Sequence, residues 1–248
     1  MQDPTLLAAA AATFFLAGTV KGVIGLGLPT ITLGLMTLLL DLPSAMALLI
    51  VPSLATNLWQ AAIGGHMREI LRKTWPFLLT ATVTIWIGAQ ALSRIDLSYL
   101  SALLGLLLIT YAATGLAGFR FSMSARTAFQ SGPLFGITNG ILTGMTGSFM
   151  VPGVLYLQAM GMHRDMLVQA MGMLFMLSTA ALALALGHSA HIDPELGLAS
   201  ALGLIPAVLG MVLGRKIRGY LSEARFRQVF FAGVLTLGLY IVASTGLS

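Results

Sequence analysis

Apolar residues run along the chain in ten stretches, at about 5–20, 29–40, 43–64, 75–93 and 97–118 in the first half and about 128–142, 150–160, 165–187, 196–214 and 228–246 in the second. Three in each half reach the ~20 residues a membrane-crossing helix needs. The stretches 29–40 and 150–160 are too short, since ~1.5 Å per residue does not add up to the ~30 Å of a bilayer core. They read as half-helices, each either folding back on the stretch before it as a re-entrant hairpin or making with it a pair of tilted crossings.

The breaks that precede these half-helices resemble each other. Lys21, Gly22, Gly25 and Gly27 lead into Pro29, and Asn139, Gly140, Thr143, Gly144, Thr146, Gly147 and Ser148 lead into Pro152. Further pairs follow in register: Ile87-Gly88 with Leu209-Gly210, Arg94-Ile95 with Lys216-Ile217, and Tyr111, Thr114 and Gly115 with Tyr240, Thr245 and Gly246. The chain therefore reads as two repeats, about 1–122 and about 123–248. Glycine-broken segments at corresponding places in two halves point to a solute site in a transporter.

Composition fixes the solvent. With 57% apolar and 8% charged residues and a mean hydropathy of +0.93, the chain cannot wet a normal surface, so it reads as a single all-α integral membrane domain over 1–248. No Lys or Arg precedes the first apolar run, which argues against a cleaved signal peptide. The net charge of +5 comes from loop residues that orient a membrane protein and meet anionic lipid, and nucleic acid is not an expected partner. The absence of cysteine excludes disulfides and thiolate chemistry.

An odd number of crossings per half gathers Arg68, Arg72, Lys73, Arg120, Arg126, Arg164, Arg215, Lys216, Arg218, Arg225 and Arg227 on one side, eleven of the thirteen basic residues. By the positive-inside rule that side is the cytoplasm. Arg94 falls on the other side with Asp3, Asp41, Asp96, Asp193 and Glu195, both termini lie outside, and the two repeats are inverted.

Lys21 is the one full charge left at membrane depth. Such a cation needs a partner, and because every Asp and Glu maps to a loop or a segment end, a bound anion is the natural one. Backbone N–H groups at Gly25, Gly27, Gly144 and Gly147 would cradle it if they open the following half-helices. Thr143, Thr146 and Ser148 add hydroxyls, and Asn57, Gln60 and Asn139 would orient the solute. Ser53, Thr56, Asn57 and Gln60 share one helical face, with Gln169, Ser178 and Thr179 as a sparser counterpart. Packing glycines and a Lys21 that snorkels to the interface remain the plainer alternative.

A rival ligand is Cu(I). Met145, Met150, Met160, Met162, Met166, Met171, Met173 and Met176 crowd one region around His163, and thioethers bind soft metals. His188, His191, Asp193 and Glu195 could hold a metal in a loop but lack the helical spacing of a hydrolytic zinc site. With no acid pair or nucleophile–base set at membrane depth, neither an enzyme nor a cofactor is expected.

At Gly18, Lys21, Gly22, Gly25, Gly27 and Pro29, at Pro43 to Ala47 leading into Asn57, Trp59 and Gln60, and at Gly136, Asn139, Gly140, Gly144, Thr146, Gly147, Ser148 and Phe149, the chain resembles the sulfite exporter TauE/SafE family of membrane transporters. The resemblance covers both halves. It implies a transporter in the plasma or inner membrane for small sulfur-containing anions: sulfite, thiosulfate or an organosulfonate such as sulfoacetate. Many members carry three or four consecutive glycines in the first break, where this chain has Leu26 and Leu28 between its glycines. Whether the unit is a monomer or a homodimer stays open.

Overall fold

The computed structural model describes residues 4–119, 121–188 and 194–246. Asp3, Arg120, His191 and Asp193 lie outside them. The described residues form α1 (Pro4–Ile24), α2 (Leu28–Met36), α3 (Leu42–Ala62), α4 (Met67–Val83), α5 (Ile85–Ala89), α6 (Leu97–Leu116), α7 (Ala125–Thr146), α8 (Leu155–Ala159), α9 (Arg164–His188), α10 (Pro194–Ile217) and α11 (Glu223–Gly246). A 3-10 turn extends α5 over Gln90–Ser93, and a π turn over Met150–Val154 precedes α8. Seven helical stretches are long and apolar enough to cross a membrane: Pro4–Ile24, Leu42–Ala62, Met67–Ser93, Leu97–Leu116, Arg164–His188, Pro194–Tyr220 and Ala224–Thr245. The protein is a multi-pass, all-helical membrane protein.

Polar residues mark the helix starts. Asp41 caps α3 by accepting the Ser44 N–H at 2.8 Å, Asp96 caps α6 by accepting the Ser98 N–H at 2.8 Å, and Ser124 caps α7 by accepting the Thr127 N–H at 3.1 Å. Each supplies an acceptor to an N–H that the helix itself cannot satisfy. Accepting from Ser98 holds the exposed Asp96 carboxyl below its ordinary pKa. Asp165 and Glu195 occupy the first turns of α9 and α10, where a negative charge meets the positive helix end. These four carboxylates thus belong to helix starts.

Two boundaries differ from the sequence reading. The runs 5–20 and 128–142 extend into α1 and α7, which continue through Lys21 to Ile24 and through Asn139 and Gly144 to Thr146. Gly18, Gly22, Gly140 and Gly144 do not end these helices, because each faces the backbone of a neighbour. A Cβ at Gly18 would fall on the Ala207 carbonyl and one at Gly22 on that of Met211, while Gly140 meets Ala81 and Gly144 meets Ile85 in the same way. Small residues let helix backbones approach in a membrane, and this packing outweighs the ~1 kcal/mol that glycine costs inside a helix.

The registers give each helix its direction. Gly18 lies opposite Ala207 and Gly22 opposite Met211, so α1 and α10 run parallel; Phe77 opposite Gly136 and Ala81 opposite Gly140 make α4 and α7 parallel too. Ser53 meets Thr179 and Gln60 meets Val168, so α3 and α9 are antiparallel. Gly105 meets Gly238 and Gly115 meets Phe231, so α6 and α11 are antiparallel as well. The long helices α1, α3, α4 and α6 of the first half thus each pack on a helix of the second half. Gly27 meets Phe230 and Gly34 meets Leu237, so α2 runs along α11, opposite to α1. With nine residues α2 is only ~13 Å long: α1 and α2 form a hairpin that turns inside the protein at Gly25 and Gly27, both at positive φ.

Pro52 lies inside α3 and cannot donate to the Leu48 carbonyl. Ser200 of α10 fills that gap: its hydroxyl donates to Leu48 O at 2.8 Å and accepts the Val51 N–H at 3.0 Å. Ser200→Ala leaves that buried carbonyl unpaired and is expected to cost about 1–3 kcal/mol, read as a lower unfolding midpoint in detergent. In a Pro52→Ala background, where the helix bond is restored, the same change is expected to cost far less.

Candidate functional site

The α1–α2 turn opens onto a cavity of about 230 Å³ walled by α1, α3, α9 and α10. At ~30 Å³ per water it has room for roughly seven waters, or for a small oxyanion with part of its hydration shell. Lys21 and Gly22 face it from α1, Gly25 from the α1–α2 turn, Thr56, Trp59 and Gln60 from α3, Asp165 and Val168 from α9 and Met211 from α10, and Arg164, Arg215 and Arg218 stand at its mouth. A second space of about 450 Å³ continues outward past the same three arginines.

Lys21 is 4% exposed. Its ammonium donates to Thr56 Oγ1 at 3.0 Å and to Asn57 Oδ1. Neither acceptor is charged. Thr56 passes its own proton to the Pro52 carbonyl at 2.7 Å, and Asn57 Nδ2 donates to Ser53 Oγ at 2.9 Å, so both acceptors are held with oxygen toward the lysine. The expected polar stripe on α3 is thus the lysine's seat. Gly22 packs on Met211, about 9 Å of helix short of the end of α10 at Ile217. Lys21 therefore sits at the floor of a funnel whose rim carries three guanidinium groups, with Arg215 lying 6.0 Å from the Trp59 ring centroid.

The backbone-donor expectation fares differently at each glycine. The Gly25 N–H already donates to Lys21 O at 2.8 Å and the Gly147 N–H to Thr143 O at 2.7 Å, and Gly144 lies inside α7 instead of opening a helix. Gly27 caps α2 with Pro29 in its first turn, as expected, but turns toward Val20 and Phe230, away from the cavity.

The structure brings Lys21, Gly22, Gly25, Asn57 and Gln60 together, and it sets the second break apart. Gly147 packs on Met46 and Leu33. Thr146 bonds to the Leu142 carbonyl at 2.7 Å and receives the Ser148 N–H at 3.2 Å, while Thr143 donates to the Ser148 carbonyl at 3.0 Å. Asn139 Oδ1 accepts the Gly153 N–H at 2.9 Å. Gln60 donates to Val168 O at 2.7 Å and Gln169 to Ala61 O at 2.8 Å, two bonds that lace α3 to α9 at the cavity wall.

Arg164, Arg215 and Arg218 were not among the sequence candidates, having been read only as loop charges. Their convergence depends on α10 pairing with α1 and α9 with α3, which no local pattern shows. The methionines of the soft-metal reading lie in the core: Met150, Met166, Met171 and Met173 are buried, and Met145, Met160, Met162 and Met176 are partly buried and pack against the hydrophobic core.

The rim arginines have a measurable consequence. Exposed charges at a mouth raise the local concentration of counter-ions and speed their capture, and salt abolishes this. Arg218→Gln is expected to slow initial anion uptake several-fold at ~0.01 M salt and to match the unsubstituted protein near 1 M, where the screening length falls from ~30 Å to ~3 Å.

A family model described as sulfite exporter TauE/SafE matches residues 10–241. No curated protein and no solved structure matches the chain.

Proposed function

The chain belongs to the sulfite exporter TauE/SafE family, a family of membrane transporters, and from that membership we propose that it exports a small sulfur-containing anion, sulfite, thiosulfate or an organosulfonate such as sulfoacetate, across the cell's plasma or inner membrane. The observation that carries this reading is Lys21, a buried ammonium with two neutral partners at the bottom of a cavity rimmed by arginines. Burying a charge without a counter-charge is costly; an anion in the cavity offsets that cost. Thr56, Asn57 and Gln60 orient it, Gly22 and Gly25 leave it room, and the second break, with Asn139, Gly144, Thr146, Gly147 and Ser148, serves the opposite face of the same path.

The antiparallel runs of α3 with α9 and of α6 with α11 support two inverted repeats and with them alternating access. The basic loops face the cytoplasm in this reading, so the cavity is open inward and both termini lie outside. The inside-negative potential then drives an anion outward, by ~2.3 kcal/mol per charge per 100 mV, and no coupling carboxylate is required. The protein is not an enzyme in this scheme and needs no cofactor. Flux of sulfite, thiosulfate, sulfoacetate and sulfate into and out of proteoliposomes under an imposed potential tests it. Voltage-responsive flux of one sulfur anion is the expected result, and movement of none of them would overturn it.

A further inference from the structure

Asn139, placed above on the solute path, and Ser178, so far without a part in it, carry buried polar atoms that the bundle leaves unpaired. Both residues are 0% exposed, and Asn139 Nδ2 and Ser178 Oγ have no hydrogen-bond partner among the described residues. Ser178 repeats a position of the lysine site, and Asn139 lies one turn from another. The Gly147 N–H donates to Thr143 O as the Gly25 N–H donates to Lys21 O, so Thr143 stands in the second half where Lys21 stands in the first, and Asn139 lies one turn before it. Thr56 and Asn57, which hold Lys21, are the fifteenth and sixteenth residues of α3, and Ser178 and Thr179 are the fifteenth and sixteenth of α9. Asn139 and α9 meet at Gly153, where an added Cβ would touch both the Asn139 carboxamide and, at 3.0 Å, the Leu174 side chain one turn before Ser178.

The two places are also wired together. Asn57 donates to Ser53 at 2.9 Å, and Ser53 lies 3.3 Å from Thr179 across the α3–α9 contact. A line of polar side chains therefore runs from Lys21 through Asn57, Ser53 and Thr179 to the neighbourhood of Ser178 and Asn139, through an otherwise apolar bundle.

We propose that Asn139, Ser178 and Thr179 form a second anion station, closed in this structure, which receives the solute from Lys21 and releases it on the side away from the basic loops. The station rests on the transport reading above. The Asn139 amide and the Ser178 hydroxyl can both donate, so the ligand they suit is an oxyanion whose oxygens only accept. Neither carries a full charge. An anion held by a cation at the first station and by neutral dipoles at the second binds on entry and lets go on exit, which is what conduction requires.

Ser178→Ala and Asn139→Asp test this in the full-length protein, with sulfite and sulfoacetate as probes. Ser178→Ala removes a hydroxyl with no structural bond, so its unfolding midpoint is expected to stay level or rise while flux falls at least tenfold. Asn139→Asp keeps the acceptor for the Gly153 N–H and replaces the donor with an acid, so flux is expected to be lost. In both, the calorimetric Kd for the probe at the inward cavity is expected to stay within about twofold, whereas Lys21→Gln loses binding and flux together. Unsubstituted flux in Ser178→Ala and Asn139→Asp, with Lys21→Gln inactive, would overturn the station and leave the lysine site standing. Normal binding in Lys21→Gln, or no flux of either probe in the unsubstituted protein, would overturn the transport reading and the station with it.

Discussion

Lys21→Gln is expected to weaken anion binding and flux by two to three orders of magnitude while the protein folds at least as well as before. Glutamine reaches toward Thr56 and Asn57 and can still donate to both oxygens, so the seat survives and only the charge is removed. A unit charge ~4 Å from an anion is worth ~4 kcal/mol at an effective dielectric constant of 20, and each ~1.4 kcal/mol is a factor of ten in affinity. Stability is not expected to fall, because the empty site holds a cation with no counter-charge, whose burial is unfavourable. Titration calorimetry and the unfolding midpoint of the same preparation check both halves of the expectation. A variant that unfolds would make Lys21 structural, and one that binds normally would remove it from the site.

Gly18→Val is expected to prevent the native bundle from forming. A Cβ at this position falls on the Ala207 backbone, with its carbonyl carbon at 2.9 Å and its Cα at 3.0 Å, and backbone cannot rotate aside as a side chain can. Two helices must separate, at a cost of ~3 kcal/mol or more, a large share of the ~5–15 kcal/mol that holds a typical fold together. Gly140→Val, facing Ala81, should do the same at the equivalent seam. Gly233→Ala is the control: nothing lies within 4 Å of its added carbon, and alanine is the better helix former by about 1 kcal/mol. Size-exclusion profiles and unfolding midpoints should show the two valine variants aggregated or strongly destabilised, with Gly233→Ala unchanged or improved.

Lys21 and its partners on α3 show where sequence was a sufficient guide. Lys21 is conspicuous because a lone charge in an apolar run has few explanations, and the stripe of Ser53, Thr56 and Asn57 is visible from its spacing. Asp41 and Asp96 were read as loop or segment-end residues because a carboxylate has nowhere else to go in such a chain, and both cap helices there. The glycines were harder. A glycine that opens a turn and one that lets two helices touch look alike in sequence, and Gly22 and Gly144 proved to be of the second kind, whereas Gly25 and Gly27 make the turn. The rim arginines were hidden for another reason: their place beside Lys21 depends on contacts between residues nearly two hundred positions apart, and the hydrophobic pattern fixes which segments are helical without fixing which helices meet.

The crossed pairing of the halves also constrains how the protein is made. Helix α1 finds its seam only on α10, and α7 finds its own on α4 and α5. The α1–α2 hairpin therefore leaves the ribosome well before α10, and the Gly18–Gly22 face of α1 stays bare to lipid until α10 has followed. Contacts so distant in sequence form late, and exposed surfaces are where membrane chains are caught by quality control. A helix made late closes one made early, and a chain truncated before Pro194 would carry Lys21 on its α3 seat with no α10 beside α1.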